Sequence, residues 1–202
     1  MTLNHNRIAH VLVLMFSLAG GAPAIASAQE GSLILGFSRP TITFTGPRGA
    51  VTTSASGFLV GGSVGSSTNR AAGVEFDGLF VTNGTDTPQA FTLRLSYLDL
   101  AVLGRINAPL NRDVRLHGYA GPQVGVLVHT SGAPEILASS DANHISRGDT
   151  SVVVGAGLDW RGRVVDVRYT RGLNDLTSAT LFGQGVIGRA QSLAVLFSFR
   201  VK

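Results

Sequence analysis

The residues with the most evident chemical potential cluster late in the chain. His144-Ile145-Ser146 sets a base two positions from a hydroxyl, with Asp149 close behind. A histidine that takes the serine proton, oriented by a carboxylate, would make an acyl-transfer nucleophile. Such a group needs its base within hydrogen-bond reach on a rigid element, and nearness in sequence is not geometry. This segment is polar, with no strand or helix pattern to hold it. Arg147-Gly148-Asp149 overlaps it and spells the tripeptide read by integrins; the pattern arises easily by chance and a solvated turn is the favoured reading, with an adhesive loop as the alternative if it is exposed at a cell surface. Asn83-Gly84-Thr85 has the pattern of a glycosylation acceptor, yet Asn-Gly also makes a loop turn. Gly61-Gly62 and the glycines around Gly155 lack phosphate-loop spacing and suit close backbone approach within strands. The five histidines are scattered, so the sequence implies no metal site and no cofactor.

A second set of chemical groups is embedded in alternating segments: Glu75, Asp77, Arg94, Asp99, Arg115, His117, Asp159, Asp166 and Arg168. Their neighbours decide what they can do. The 202 residues are 44% hydrophobic but only 14% charged, with 26 glycines and no cysteine. A water-soluble domain carries about 25% charged residues, so this surface is short of charge for water. Beyond the first residues no apolar run reaches the roughly 20 residues of a transmembrane helix. A barrel reconciles the two, because alternation dilutes its apolar residues along each strand. The net charge of +4 comes from arginine, with Lys202 the sole lysine. No basic stripe with interleaved aromatics accompanies it, which argues against nucleic acid.

The N-terminal residues read as a secretory signal. Arg7 precedes an apolar stretch over residues 8–19, Gly20, Gly21 and Pro23 break it, and Ala26-Ser27-Ala28 offers small residues for cleavage. We therefore expect residues 1–28 to be a cleaved signal peptide and 29–202 to form one barrel domain, with no lipobox cysteine for an anchor.

Period-two alternation recurs through the rest of the chain. Leu33, Leu35 and Phe37 share one face; so do Phe58, Val60 and Val64, and Val74, Phe76 and Phe80. Phe91, Leu93, Leu95 and Tyr97 form the fourth apolar series, which then slips to Leu98, Leu100 and Val102. Either a β-bulge near Tyr97-Leu98 resets the faces, or this strand carries lipid-tolerant residues on both; the cost of turning Asp99 to lipid favours the bulge. Four further segments follow, ending with Leu193, Val195, Phe197, Phe199 and Val201. Connections over 39–56, 83–90, 130–149 and 173–190 are longer than those over 66–71, 107–113 and 161–163. Up-and-down barrels of outer membranes show this rhythm of tight periplasmic turns and longer outer loops. The expectation is all-β: an eight-stranded antiparallel transmembrane barrel with both ends on the periplasmic side.

Volume decides which face points inward. An eight-stranded barrel has an interior just wide enough for side chains, too narrow for the bulky apolar set. That set should face lipid, which disfavours a soluble lipocalin-like barrel. The nine charged or polar residues named above should then fill the lumen as a paired network without an open channel. Trp160, Tyr169, Phe197 and Phe199 can supply interfacial girdles, Trp160 beside the shortest turn.

Several motifs carry a resemblance. Tyr97-Leu98-Asp99-Leu100, Gly118-Tyr119-Ala120-Gly121-Pro122, Val154-Gly155-Ala156-Gly157-Leu158-Asp159 and Asp166-Val167-Arg168-Tyr169-Thr170-Arg171-Gly172-Leu173 resemble the outer membrane protein β-barrel domain of the porin-like superfamily, the small OmpA/OmpX-type barrels. Ser192-Leu193-Ala194-Val195-Leu196-Phe197-Ser198-Phe199 is similar to the terminal signal read by the barrel-assembly machinery. It departs from that signal in Ala194, where glycine is usual, and in the three residues after Phe199. The resemblance implies an outer-membrane protein in contact with its lipid, and it brings no catalytic residues. His144-Ile145-Ser146 shares the His-x-Ser spacing of outer-membrane lipid A deacylases, outside their strand context. The function expected is a non-enzymatic barrel, structural or adhesive through its outer loops toward an unidentified surface ligand. A lipid-modifying enzyme or a passive porin is the alternative.

Overall fold

The computed structural model describes residues 29–47, 49–66, 70–86, 92–131, 148–174 and 187–201. The expected signal peptide and His144-Ile145-Ser146 lie outside them. In chain order the strands are β1 (Gln29–Gly46), β2 (Gly49–Ser54), β3 (Gly57–Ser66), β4 (Ala72–Asp86) and β5 (Thr92–Pro109), then β6 (Val114–Ser131), β7 (Gly148–Trp160), β8 (Arg163–Gly172) and β9 (Ile187–Val201). Each pairs antiparallel with its neighbour, and β9 returns to pair with β1 over Gly31↔Val201 to Thr45↔Ile187, closing the barrel.

The nine strands make eight staves, because β2 and β3 are one stave interrupted at Ala55-Ser56. The register against β1 is continuous across the gap, from Thr41↔Ser54 to Ser38↔Gly57. Pro40 causes the interruption. Ala55 donates its N–H to the Pro40 carbonyl at 3.1 Å, but proline has no N–H to return.

The expected long connection over 39–56 is thus a correction: it is mostly strand. β1 and β2 form a hairpin joined at Gly46↔Gly49, with Gly49 at φ 122°. Likewise Asn83-Gly84-Thr85 belongs to β4 and is no loop turn, and β5 runs on to Pro109. The turn between β7 and β8 is Arg161-Gly162, with φ of 54° and 84°, both in the left-handed region that a two-residue type I′ hairpin turn demands.

Following the pairs from Ser32 leads through Ser63, Asp77, Ala101, Gln123, Ser151 and Gly172 and back to β1 beside Ile42, about ten residues further along. This stagger tilts the staves against the barrel axis.

The irregularity foreseen near Tyr97-Leu98 sits at that level, but in the partner strand. Ser96 pairs with His129 and Tyr97 with Leu127, so the extra residue is Val128 of β6. β5 keeps one alternation throughout: Leu95, Tyr97 and Asp99 all line the interior cavity. The expectation that Leu95 and Tyr97 face outward is therefore wrong. They are tolerated inside because that end of the lumen is roomy.

Elsewhere the faces follow the volume argument. Leu33, Leu35, Phe37, Phe58, Val60, Phe76, Val102, Val126, Val154, Val167, Val195 and Phe197 are all exposed on the outer wall. The lumen is less polar than its charges suggest. Ile34, Leu59, Leu79, Val81, Ala194 and Leu196 form one buried apolar cluster, and Ala101, Leu103, Tyr119 and Val153 another.

Candidate functional site

The inward positions of eight staves converge on a narrow axis, and that is where the charged side chains meet. The central contact joins β8 to β4, opposite staves of the barrel. Arg168 Nη2 donates to Asp77 Oδ2 at 2.7 Å, with side-chain exposures of 2% and 4%. A neutral long side chain would cross that diameter more cheaply, since a buried pair is stabilising only when well satisfied. Satisfaction here is incomplete: Arg168 Nε and Nη1 and Asp77 Oδ1 have no hydrogen-bond partner among the described residues. The Tyr119 ring lies below the guanidinium, 5.7 Å from its centroid, and supplies a cation–π contact.

Around this bolt the other groups stack. His117 Nε2 and Asp166 Oδ1 are 2.5 Å apart, and the His117 ring stacks on Tyr119 at 6.0 Å. Glycines on β7 make the room: a Cβ on Gly155 would overlap the Tyr119 ring, and one on Gly157 the Asp166 carboxylate. Toward the end that carries Gln29 and Val201, Arg105 Nη1 donates to Glu75 Oε2 at 2.5 Å. Arg200 pairs with Glu30 at 3.2 Å and with Asp159. Asp159 also accepts from the Gly162 N–H at 3.1 Å, tying the network to the tight turn. On the exposed rim Arg161 donates to Asp113 at 3.1 Å; that bond and the Asp113 charge hold the guanidinium above its ordinary pKa.

Toward the opposite end the packing loosens. A cavity of about 110 Å³ is lined by Leu59, Leu79, Val81, Leu95, Tyr97, Asp99, Gln123, Asp149 and Arg168, among others. Gln123 Nε2 donates to Asp99 Oδ2 at 2.9 Å. The cavity is large enough to hold several waters. Asp149 stands in its wall, so the tripeptide reading of Arg147-Gly148-Asp149 is corrected: its carboxylate faces the lumen, and Gly148 is already strand. Arg147 lies outside the described residues.

Of the residues read from sequence, Glu75, Asp77, Asp99, His117, Asp159, Asp166 and Arg168 face the lumen. Arg115 shares their alternation on β6, paired with Asp159 on β7. For Arg94 only the backbone is described, paired with Gly84 and Ser131. Glu30, Arg105 and Arg200 were missed; continuing the period-two count back from Ser32, through Asn107 and on to Arg200 would have found them. Trp160, Tyr169, Phe197 and Phe199 project from the outer wall at 49%, 39%, 42% and 49% exposure. Among the described residues no group of three or more His, Asp or Glu side chains could hold a metal ion.

A closed eight-stave barrel with an apolar exterior and an internally paired lumen defines an integral β-barrel of the outer membrane. The chain belongs to the outer membrane protein β-barrel domain family, whose model matches residues 30–178. No curated protein matches it. Among solved structures it is similar to Ail, the attachment invasion locus protein of Yersinia pestis, at 16% identity over 84% of this chain and 99% of that one, with a TM-score of 0.38. Neisserial surface protein A matches at 12% identity over 84% and 97%, TM-score 0.45. The outer membrane enzyme PagL matches at 13% over 81% and 99%, TM-score 0.49.

Proposed function

We propose that this outer-membrane protein is a non-enzymatic barrel whose lumen is a structural plug, and that it acts through the end opposite Gln29 and Val201. The observation that carries this reading is the Asp77–Arg168 bridge, which crosses the full diameter with both side chains buried. The apolar clusters on either wall leave a cavity of only about 110 Å³ on the outer side of that bridge. The bridge, with the Glu75–Arg105 and Glu30–Arg200 pairs beyond it, is what we read as the block to a continuous water path. The outer end offers the polar β1–β2 hairpin, where Thr43 and Thr52 hydroxyls meet at 3.2 Å, and the long connections that lie outside the described residues. Planar-bilayer recording tests the plug. The purified barrel should give no large, stable single-channel currents, and finding them overturns the reading. The enzyme alternative loses its orienting carboxylate, because Asp149 faces the lumen cavity. Mass spectrometry of lipid A from cells with and without the protein should show no change in acyl chains.

A further inference from the structure

Among the described residues several outward arginines have no acidic partner, and three of them gather at the loop end. On β8, Arg163 and Arg171 bracket Val165, Val167 and Tyr169, all five pointing outward. Eight residues on a strand tilted by ~40° span roughly 20 Å, close to the height of an outer-membrane apolar band. Arg163 pairs with Trp160 beside the periplasmic turn, and so marks the inner interface. Arg171 therefore stands at the headgroup level of the outer leaflet.

Two more arginines join it there. Arg171 pairs with Gln191 of β9, Gln191 with Thr41 of β1, and Arg189 with Thr43. Arg39, two positions before Thr41, shares the same outward face and is exposed, as are Arg171 and Arg189. The pairing path climbs toward the loop end from β8 to β1, which brings Arg39 and Arg171 to about the same height, roughly 12 Å apart along the surface. Arg189 stands above and between them. Beneath them lie Phe37 at 72% exposure and Leu193 at 54%, which belong to the apolar band. None of the three arginines has an acidic partner among the described residues, whereas the lumen arginines 105, 168 and 200 each have one. Tyr169 Oη donates to Gln191 Oε1 at 3.0 Å, which leaves the amide Nε2 of Gln191 as a further donor in the middle of the group. Ser56, Thr82 and Thr150, outward at the corresponding level elsewhere on the barrel, are uncharged.

We propose that Arg39, Arg171, Arg189 and Gln191 form a binding site for a phosphorylated glycolipid of the outer leaflet. The phosphates of a lipid A head sit among the guanidinium groups, and its acyl chains run down over Leu193, Val195 and Phe37. Guanidinium groups suit this partner because they hold phosphate oxygens through paired N–H donors. A cation at a lipid surface strengthens binding of an anionic head about fivefold, so three together should contribute about a hundredfold.

The test uses the full mature barrel in phosphatidylcholine nanodiscs doped with bisphosphorylated lipid A, with retained lipid counted by native mass spectrometry. The wild type should retain lipid A in preference to the same lipid stripped of its phosphates. The triple variant R39Q/R171Q/R189Q should hold it about a hundredfold more weakly, and the corresponding triple lysine variant should keep most of the binding. R163Q, at the opposite interface, should bind as the wild type does. Heat-modifiable gel migration reports folding of each variant. Equal retention of phosphorylated and phosphate-free lipid by the wild type overturns the proposal even where a variant fails to fold. A folded triple glutamine variant that binds normally also overturns it.

Discussion

Removing one end of the Asp77–Arg168 bridge should be far more damaging than removing both. The two side chains are 4% and 2% exposed and meet at 2.7 Å across the lumen. In Asp77→Leu the guanidinium stays buried over the Tyr119 face, and Arg168 Nε and Nη1 are already without hydrogen-bond partners among the described residues. Stranding one member of a buried pair costs about 3–5 kcal/mol. Against a total stability on the order of 5–15 kcal/mol that is a large fraction. Arg168→Met should cost a similar amount by stranding Asp77. The double variant D77L/R168M fills the same diameter with apolar atoms beside Leu79 and Leu103, and should return to within about 1 kcal/mol of the wild type or exceed it. The coupling energy of the cycle should then be at least about 5 kcal/mol, since two losses of about 3 kcal/mol or more collapse to about 1 kcal/mol in the double variant. Urea titration in lipid vesicles, followed by heat-modifiable migration and Trp160 emission, measures all four corners. Additive single effects, with coupling below about 1 kcal/mol, would refute the view that this pair bolts the barrel.

Trp160 is the one tryptophan of the chain and stands beside the Arg161-Gly162 turn, so its emission reports depth without further labelling. Lipids brominated near the headgroup should quench it more than lipids brominated near the chain ends; the reverse order would place the turn wrongly. Gly162 sits at φ 84°, and Gly162→Ala should destabilise the barrel by about 1 kcal/mol in the same urea titration. An unchanged midpoint would mean the turn relaxes freely.

Much of this protein is legible without coordinates because its solvent has two phases. Alternation of Leu33, Leu35 and Phe37 with Ser32, Gly36 and Ser38, or of Val165, Val167 and Tyr169 with Asp166, Arg168 and Thr170, is imposed by the two surroundings of each strand. One side of each strand meets lipid and the other a crowded axis. The stave number, the outward apolar face and the short turn at Arg161-Gly162 follow from that local rule and from interior volume.

Three features escaped it. The strands at the loop end continue past the point where their outward residues become polar, at Arg39, Thr41 and Thr43, so a hairpin there looks like a long loop. Leu95 and Tyr97 are apolar yet inside, because the lumen widens into a cavity beside Asp99 and Gln123. The partners within the network were not assignable either. Alternation says that Asp77, Asp166, Arg168 and Arg200 face inward, but not which of them touch.

The sequence by itself determined that this chain is an outer-membrane barrel and, except at the loop end of β5, which face of each strand meets lipid, since both depend on local pattern and on total volume. Closure of β9 on β1 decided the rest. The stagger of about ten residues around the barrel sets the height at which each inward or outward group stands. That height brings Arg168 to Asp77 across the lumen and Arg39 level with Arg171 on the outer wall, pairings between residues far apart in sequence that no periodicity encodes.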